Sequence, residues 1–252
     1  VSALATATAA STEEQNSPVL LLGGGITSLY AALILQDLDL PYEILEGSGR
    51  VGGRLFTYTP AGCEREEFAY ADIGAMRLPR IPTMKRVFDL LDQLKIELLP
   101  YTLSSSSNRL CFNGVIAMND ESGAKRIDNS FSSVPPEFLM QGSDALLKQI
   151  FEPWRKKLLD NFDAGLKELL SFDRLSARSY IQQKFPRWPD SVIDWLESMD
   201  TATGLFDRAF VEMVIDYFDF SAASWQCVHG GMKSLVDSIR ERVGSAHIHV
   251  NA

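Results

Sequence analysis

Apolar positions in this chain change their spacing abruptly within its first fifty residues. Val19 to Leu22 is a continuous apolar run of strand length, broken at once by Gly23, Gly24 and Gly25. Leu29, Ala32, Leu33 and Leu38 then recur at helical spacing, and residues 42–45 form a second strand-like run that ends on Glu46. The pattern predicts a βαβ unit with a glycine turn between its first strand and its helix. Residues 57–71 are mixed and read as strand and loop. Val87, Leu90, Leu91, Leu94 and Leu98 predict one amphipathic helix over 83–99. Residues 110–112 and 115–117, joined by Asn113-Gly114, predict a hairpin with a tight turn in an otherwise polar, turn-rich stretch over 101–129. From 137 to 220 the period is helical, with helices expected near 142–170, 175–185, 189–198 and 205–218. They are separated at Phe172-Asp173, at Pro186 and Pro189, and at 201–204. Aromatic residues in this stretch fall on the apolar stripes and are expected in a core. Leu235, Val236 and Ile239 mark a last helix, and 247–250 a last strand on which His247 and His249 would face the same way.

A strand-to-helix glycine turn directs backbone N–H groups and the positive end of a helix dipole at one point, which suits a pyrophosphate. The spacing reads Gly23-x-Gly25-x-x-Ser28, with a serine where the third glycine of the dinucleotide fingerprint allows close helix–strand packing. Glu46 stands where that fold places the acid that accepts ribose hydroxyls. Arg50-Val51-Gly52-Gly53-Arg54 follows. Its glycines let the backbone pass close to a ligand while a guanidinium reaches phosphate oxygens, although as residues alone it also fits a solvated basic loop. In Tyr70-Ala71-Asp72-Ile73-Gly74-Ala75-Met76-Arg77-Leu78-Pro79, the small residues Gly74 and Ala75 permit close approach to a ligand. Pro79 biases the residue before it toward extended geometry. A guanidinium held there is shaped for a bidentate pair with a carboxylate, or for a surface salt bridge.

Together these segments resemble the flavin-dependent amine oxidase family, whose members carry a Rossmann turn, a ribose-binding Glu and then R-x-G-G-R. The G-A-M-R stretch resembles the L-amino-acid oxidase branch of that family. The resemblance implies an α/β fold, a Rossmann-like FAD-binding domain with a β-rich substrate-binding part and a helical insertion. It implies FAD contacts from Gly23, Gly25, Ser28, Glu46, Gly47, Arg50, Gly53, Arg54, Gly74, Ala75, Met76 and Arg77. Glu46 would sit on the adenosine ribose, Arg54 near the pyrophosphate, and Arg77 on the substrate α-carboxylate. Gly230, Gly231, Met232 and Leu235 match the family's G-G-M-x-x-L return to the FAD domain, which puts a glycine pair under the flavin. His229 beside it is a candidate active-site residue, although a lone histidine next to glycines also serves structure. The implied organisation is a disordered tail over 1–16, FAD-binding segments at 17–58 and 225–252, a substrate-binding segment at 59–130 and a helical domain at 131–224. The implied reaction converts an L-amino acid to a 2-oxo acid, ammonia and hydrogen peroxide, with oxygen as acceptor. The resemblance covers residues 17–252, about the first half of the family's usual length. The expected state is therefore the N-terminal portion of a processed or nicked enzyme, with the C-terminal remainder as a second chain and the complete unit a homo-oligomer.

Charge and composition narrow the partners. A formal net charge of −9, from 33 acids against 24 Lys and Arg, disfavours nucleic acid or an anionic membrane. No apolar run reaches the roughly 18 residues of a spanning helix. Asp200, Asp207, Glu212, Asp216 and Asp219 could face a cationic substrate, but a solvated helix face is the expectation. Cys63, Cys111 and Cys227 are far apart with no C-x-x-C, so neither zinc nor a disulfide framework is indicated, and His247 and His249 lack a third metal ligand. The first sixteen residues have no basic start and do not read as an intact signal peptide. Compartment is left open, with the extracellular side favoured. Three other readings stand beside the main one. They are a primary-amine or polyamine oxidase, a nicotinamide dehydrogenase that 50–54 disfavours, and a non-catalytic interaction module.

Overall fold

The computed structural model describes residues 17–63, 66–200 and 205–252; the tail expected over 1–16 and the break expected at 201–204 lie outside them. Two compact units result. One comprises the described residues up to Tyr101 together with Ser224–Ala252, and the other is Thr102–Ala223.

The first unit opens with β1 (Val19–Leu22), α1 (Ile26–Asp37) and β2 (Tyr42–Glu46), the βαβ unit that the apolar spacing predicts. β1 and β2 run parallel, in register from Val19 opposite Tyr42 to Leu22 opposite Leu45. The short strands β3 (Thr57–Tyr58) and β4 (Ala71–Asp72) pair antiparallel. β5 (Leu78–Pro79), α2 (Lys85–Gln93) and β6 (Leu98–Pro100) follow.

The helix expected over 83–99 is thus shorter. Lys95 adopts φ of +55° and Ile96 N–H reaches back to Leu91 O at 2.9 Å, a left-handed stop that satisfies the last carbonyls of α2. Leu98, four residues after Leu94, fits the helical stripe by spacing but belongs to β6.

In the second unit the hairpin forms as expected. β7 (Arg109–Phe112) and β8 (Val115–Met118) are joined by Asn113 at φ +50° and Gly114 at φ +76°, the pair of positive values that a tight hairpin turn needs. The polar stretch after it holds α3 (Glu121–Asp128), which the periodicity missed. Its Asp120 side chain caps Gly123 N–H at 2.7 Å. After α4 (Pro136–Leu139), the helix expected over 142–170 is two, α5 (Ser143–Asp160) and α6 (Phe162–Leu169). Asn161 leaves helical geometry and its side chain caps Ala164 N–H at 3.0 Å. α7 (Ala177–Lys184), α8 (Asp190–Met199) and α9 (Phe210–Phe220) complete the unit.

Its core is aromatic, as the stripes suggest. Tyr180 stacks on Phe210 at 3.6 Å between ring centroids, and Trp154 Nε1–H donates to the Tyr180 hydroxyl at 3.0 Å. The acids of this unit are not all solvated. Asp207 and Glu212 are exposed, but burial, reinforced by Asp216 and then Glu197, pushes the Asp200 carboxyl up to about 7.

The chain then returns to the first unit through β9 (Trp225–Val228), α10 (Met232–Val243) and β10 (Ile248–Val250). β10 joins β2 in parallel, giving the sheet order β1-β2-β10. β9 forms the centre of an antiparallel sheet ordered β5-β9-β6. α1 and α10 bury Leu29, Ala32, Leu235 and Ile239 with Ile44 and Leu91 in the main core of the unit. The pairing expected of His247 and His249 is absent because only His249 is on the strand. His247 lies in a short 3-10 turn with its ring 4.9 Å from Tyr42, while His249 Nε2 meets Glu43 at 2.7 Å. No helix among the described residues is long and apolar enough to cross a membrane, and none of their His, Cys, Asp and Glu side chains are grouped to hold a metal ion.

Candidate functional site

Three glycines build the site, each in a different way. Gly23 takes φ of +91° and its N–H donates to Leu45 O at 2.7 Å, turning the chain out of β1. Gly24 is buried, and a methyl group there would come within 2.9 Å of Val51 Cγ1 and 3.1 Å of Glu46 Cβ. Gly25 precedes α1, and a methyl group there would meet no protein atom within 4 Å. The tight packing of the fingerprint therefore occurs at Gly24, and the open side of the turn is Gly25. Ser28, in place of the third glycine, is half-buried in the first turn of α1.

Glu46 closes β2 and turns back onto the same turn. Gly24 N–H donates to its Oε2 at 2.5 Å and Ser48 N–H to its Oε1 at 2.7 Å. Hydrogen bonding from the Ser48 side chain, then from the Gly24 and Ser48 amides, with Arg50 adding positive charge, holds this carboxyl down at about 2. Gly47 follows in an exposed bend.

The 50–54 loop lies against the glycine turn. Gly52, at φ +108°, donates its N–H to Gly24 O at 2.8 Å, and a methyl group there would meet Leu55 O at 2.8 Å. Gly53, at φ +54°, brings its backbone beside Gly25, where a methyl group would stand 3.4 Å from Gly25 Cα. Arg50 donates to Gly53 O at 3.1 Å and lies over the Phe56 ring at 4.5 Å. Arg54 is exposed. Its carbonyl leaves no room for a side chain at Gly74, where a methyl carbon would stand 1.8 Å from Arg54 O.

The result is a cleft of 870 Å³ lined by 25–27, Arg50, 52–56 and 73–75. It gathers Gly25, Arg50, Gly53, Arg54, Gly74 and Ala75 of the expected site. Gly23, Ser28, Glu46 and Gly47 do not line it. Met76 and Arg77 stand next along the chain. Tyr101 O–H contacts the Met76 sulfur at 3.7 Å, and the half-buried Arg77 guanidinium lies 5.6 Å from the Trp225 ring centroid. His229 does not line the cleft. Its Nδ1 meets Glu97 Oε2 at 2.9 Å, its Nε2 meets Glu67 Oε1 at 3.3 Å, and its N–H donates to Glu97 O at 3.0 Å.

Among the described residues of this unit two α-helices begin after glycines, and of these two α1 has the bare amino end. At α1 the capping position is Gly25, without a side-chain cap and with no acid in the first turn, and residues 25–27 face the cleft. At α10 the capping Gly231 also lacks a side chain, but Asp72 Oδ1 accepts Met232 N–H and Thr57 Oγ1 accepts Lys233 N–H, each at 2.9 Å. Of these two, the dipole end available to an anion is that of α1. Gly231 packs on Thr57 and Asp72, where a methyl carbon would stand 2.5 Å from Thr57 Cγ2.

Gly24, Ser48, Gly52, Thr57, Asp72 and Trp225 were not among the residues that sequence reasoning placed in the site. Only Gly24 and Gly52 carried a signal for it, as the extra glycines within two motifs.

A parallel sheet with an uncapped, glycine-led helix, an ionised acid at the end of the second strand and a doubled glycine loop with two arginines defines a dinucleotide-binding protein of the flavoprotein type. Comparison with known proteins agrees. The chain belongs to the flavin containing amine oxidoreductase family, whose model matches residues 29–252. It is 36% identical over 248 residues to a Dictyostelium discoideum protein named as a bifunctional amine oxidase, covering 90% of this chain and 23% of that protein. It is 33% identical over 254 residues to L-amino-acid oxidase 4 of Hebeloma cylindrosporum, covering 87% and 40%. A solved structure of putrescine oxidase with putrescine bound shares the fold with a TM-score of 0.61 at 18% identity, covering 93% of this chain and 51% of that one. The chain thus spans about half or less of the length of these proteins.

The cofactor of the family is FAD, and the residues present fit it. The open face of Gly25, the uncapped first turn of α1 and the arginines of the 50–54 loop suit a diphosphate, and Glu46 supplies an anionic acceptor. Replacing Glu46 with glutamine is expected to weaken FAD retention roughly tenfold or more, the scale of a lost charged hydrogen bond. The sign of the pH dependence follows from a carboxyl lowered from 4.5 to about 2. In the folded protein it stays ionised until pH falls toward about 2, so FAD release followed by flavin fluorescence should be flat from about pH 8 to 5.

Proposed function

We propose that this chain is the N-terminal portion of an FAD-dependent L-amino-acid oxidase that forms 2-oxo acid, ammonia and hydrogen peroxide. The observation that carries the reading is Arg77, half-buried over Trp225 and three residues beyond the glycine of the cleft wall. An amine substrate has no group for such a cation to bind, whereas an amino acid has its α-carboxylate. The likeness to a fungal L-amino-acid oxidase supports the same choice.

In this reading Arg77 clamps the carboxylate and so decides which end of the substrate enters. Gly25, Gly53 and the α1 amino end hold the cofactor diphosphate, with Arg54 beside it, and Glu46 accepts the ribose hydroxyls. Bound FAD supplies the two-electron acceptor, with oxygen as the final oxidant. Positioning is the contribution of the chain's own residues, and no proton-transfer pair is required of them. The chain spans 40% of the length of that relative, so the activity is proposed for the whole enzyme that contains it.

The test is a visible spectrum with FAD and a peroxide assay on L-amino acids, their D-enantiomers and primary amines. A yellow protein that releases peroxide from L-amino acids is expected. Peroxide from amines alone would replace this reading with that of an amine oxidase.

A further inference from the structure

We infer that Asp72 is a positioning residue for the Arg77 segment, an inference that rests on the carboxylate role given to Arg77 above. The argument begins with a deficit at α10. Its capping position is Gly231, which has no side chain and takes φ of +82°, so the first N–H groups of a 12-residue helix need acceptors from elsewhere. β3 and β4 supply them. Asp72 Oδ1 accepts Met232 N–H at 2.9 Å and the Thr57 hydroxyl at 2.5 Å, while Thr57 Oγ1 accepts Lys233 N–H at 2.9 Å. A carboxylate on the positive end of a helix dipole is held more firmly than a neutral cap.

The same contact anchors the segment that Asp72 begins. Ile73 N–H continues the strand pairing to Phe56 O at 2.8 Å, and Gly74 then presses against Arg54 O. At the other end, Leu78 pairs with Gln226 and Pro79 with Trp225. The five residues 73–77 therefore form an arch whose two feet stand on one continuous stretch, β9 running into α10. Arg77 is at the far foot, over Trp225 of that same stretch. Removing the Asp72 carboxylate cuts the near foot from α10 and leaves it only its backbone pairing to β3, so the arch can shift against Trp225.

The test uses the FAD-loaded oxidase containing this chain, with Asp72→Ala, Asp72→Asn, Thr57→Val and Thr57→Ser. Hydrogen exchange of peptides spanning 73–78 and steady-state kinetics are both read well below the melting temperature of each variant. Asp72→Ala is expected to speed exchange across 73–78 about tenfold and to raise the KM for an L-amino acid about tenfold with kcat little changed. Thr57→Val should do the same to a lesser degree, and Thr57→Ser, which keeps the hydroxyl, should restore both. If Asp72→Ala does not fold, the isosteric Asp72→Asn carries the comparison. A lowered melting temperature with unchanged exchange over 73–78 and an unchanged KM would overturn the inference and leave Asp72 a plain helix cap. The exchange result does not depend on the substrate. Faster exchange in an enzyme that oxidises only amines would sustain the positioning of the arch and remove the carboxylate role of Arg77.

Discussion

Replacing Arg77 with alanine should raise the KM for L-amino acids by roughly 10–150-fold while FAD stays bound, because a charged hydrogen bond is worth about 1.5–3 kcal/mol. The guanidinium is half-buried against Trp225, where a carboxylate partner is less screened than at the surface. Lysine at this position should recover only part of the loss, since an ammonium cannot form the paired, planar contact of a guanidinium. Steady-state peroxide assays beside a visible spectrum separate substrate binding from cofactor loss. Unchanged kinetics in a fully flavinated variant would remove Arg77 from the site.

The second large effect contrasts two glycines of one cleft. Gly74→Ala would set a methyl carbon 1.8 Å from Arg54 O, and the obstacle is backbone that cannot rotate away. The cost should reach or exceed the upper end of the about 1–3 kcal/mol seen for overpacking, which lowers the melting temperature by roughly 10 °C. FAD binding should fall with it, because the 50–54 loop must move. Gly25→Ala is the opposite case. Its backbone is at φ −75°, its methyl would meet nothing in the protein, and the melting temperature without cofactor should stay within about 1 °C. Yet that methyl would occupy the face proposed for the diphosphate, so FAD affinity should drop by about tenfold or more. Thermal melts without cofactor and FAD titrations on both variants check the contrast. Equal behaviour of the two would mean that the cleft wall and the cradle have been confused.

The parts of this architecture that were legible in the sequence are local ones. A four-residue apolar run, three glycines and a helical stripe specify β1, the turn and α1 because every residue concerned acts on its near neighbours. The hairpin at 109–118 was legible for the same reason, since Asn113-Gly114 alone supplies the positive φ values it needs. Errors arose where spacing is ambiguous. Leu94 and Leu98 are four apart, which suits a helix, but Lys95 in the left-handed region ends α2 between them. Asn161 and Asp120 reveal themselves as caps only once their side chains are seen to bend back. The contacts that join the motifs were out of reach, because they span long separations. Asp72 meets Met232 across 160 residues, and Thr57 meets Lys233 across 176. Likewise, the wall opposite Gly74 is a carbonyl, which no side-chain pattern announces.

The central claim is that an FAD cleft of the amine oxidase family is joined here to a cation that selects carboxylate-bearing substrates. It is tested most directly by kcat/KM for the best L-amino acid against kcat/KM for the amine left when that amino acid loses its carboxyl group. The account predicts a preference for the amino acid of about a hundredfold or more, as expected when a built polar contact is left unmade by the analogue. Equal or faster oxidation of the amine would contradict it.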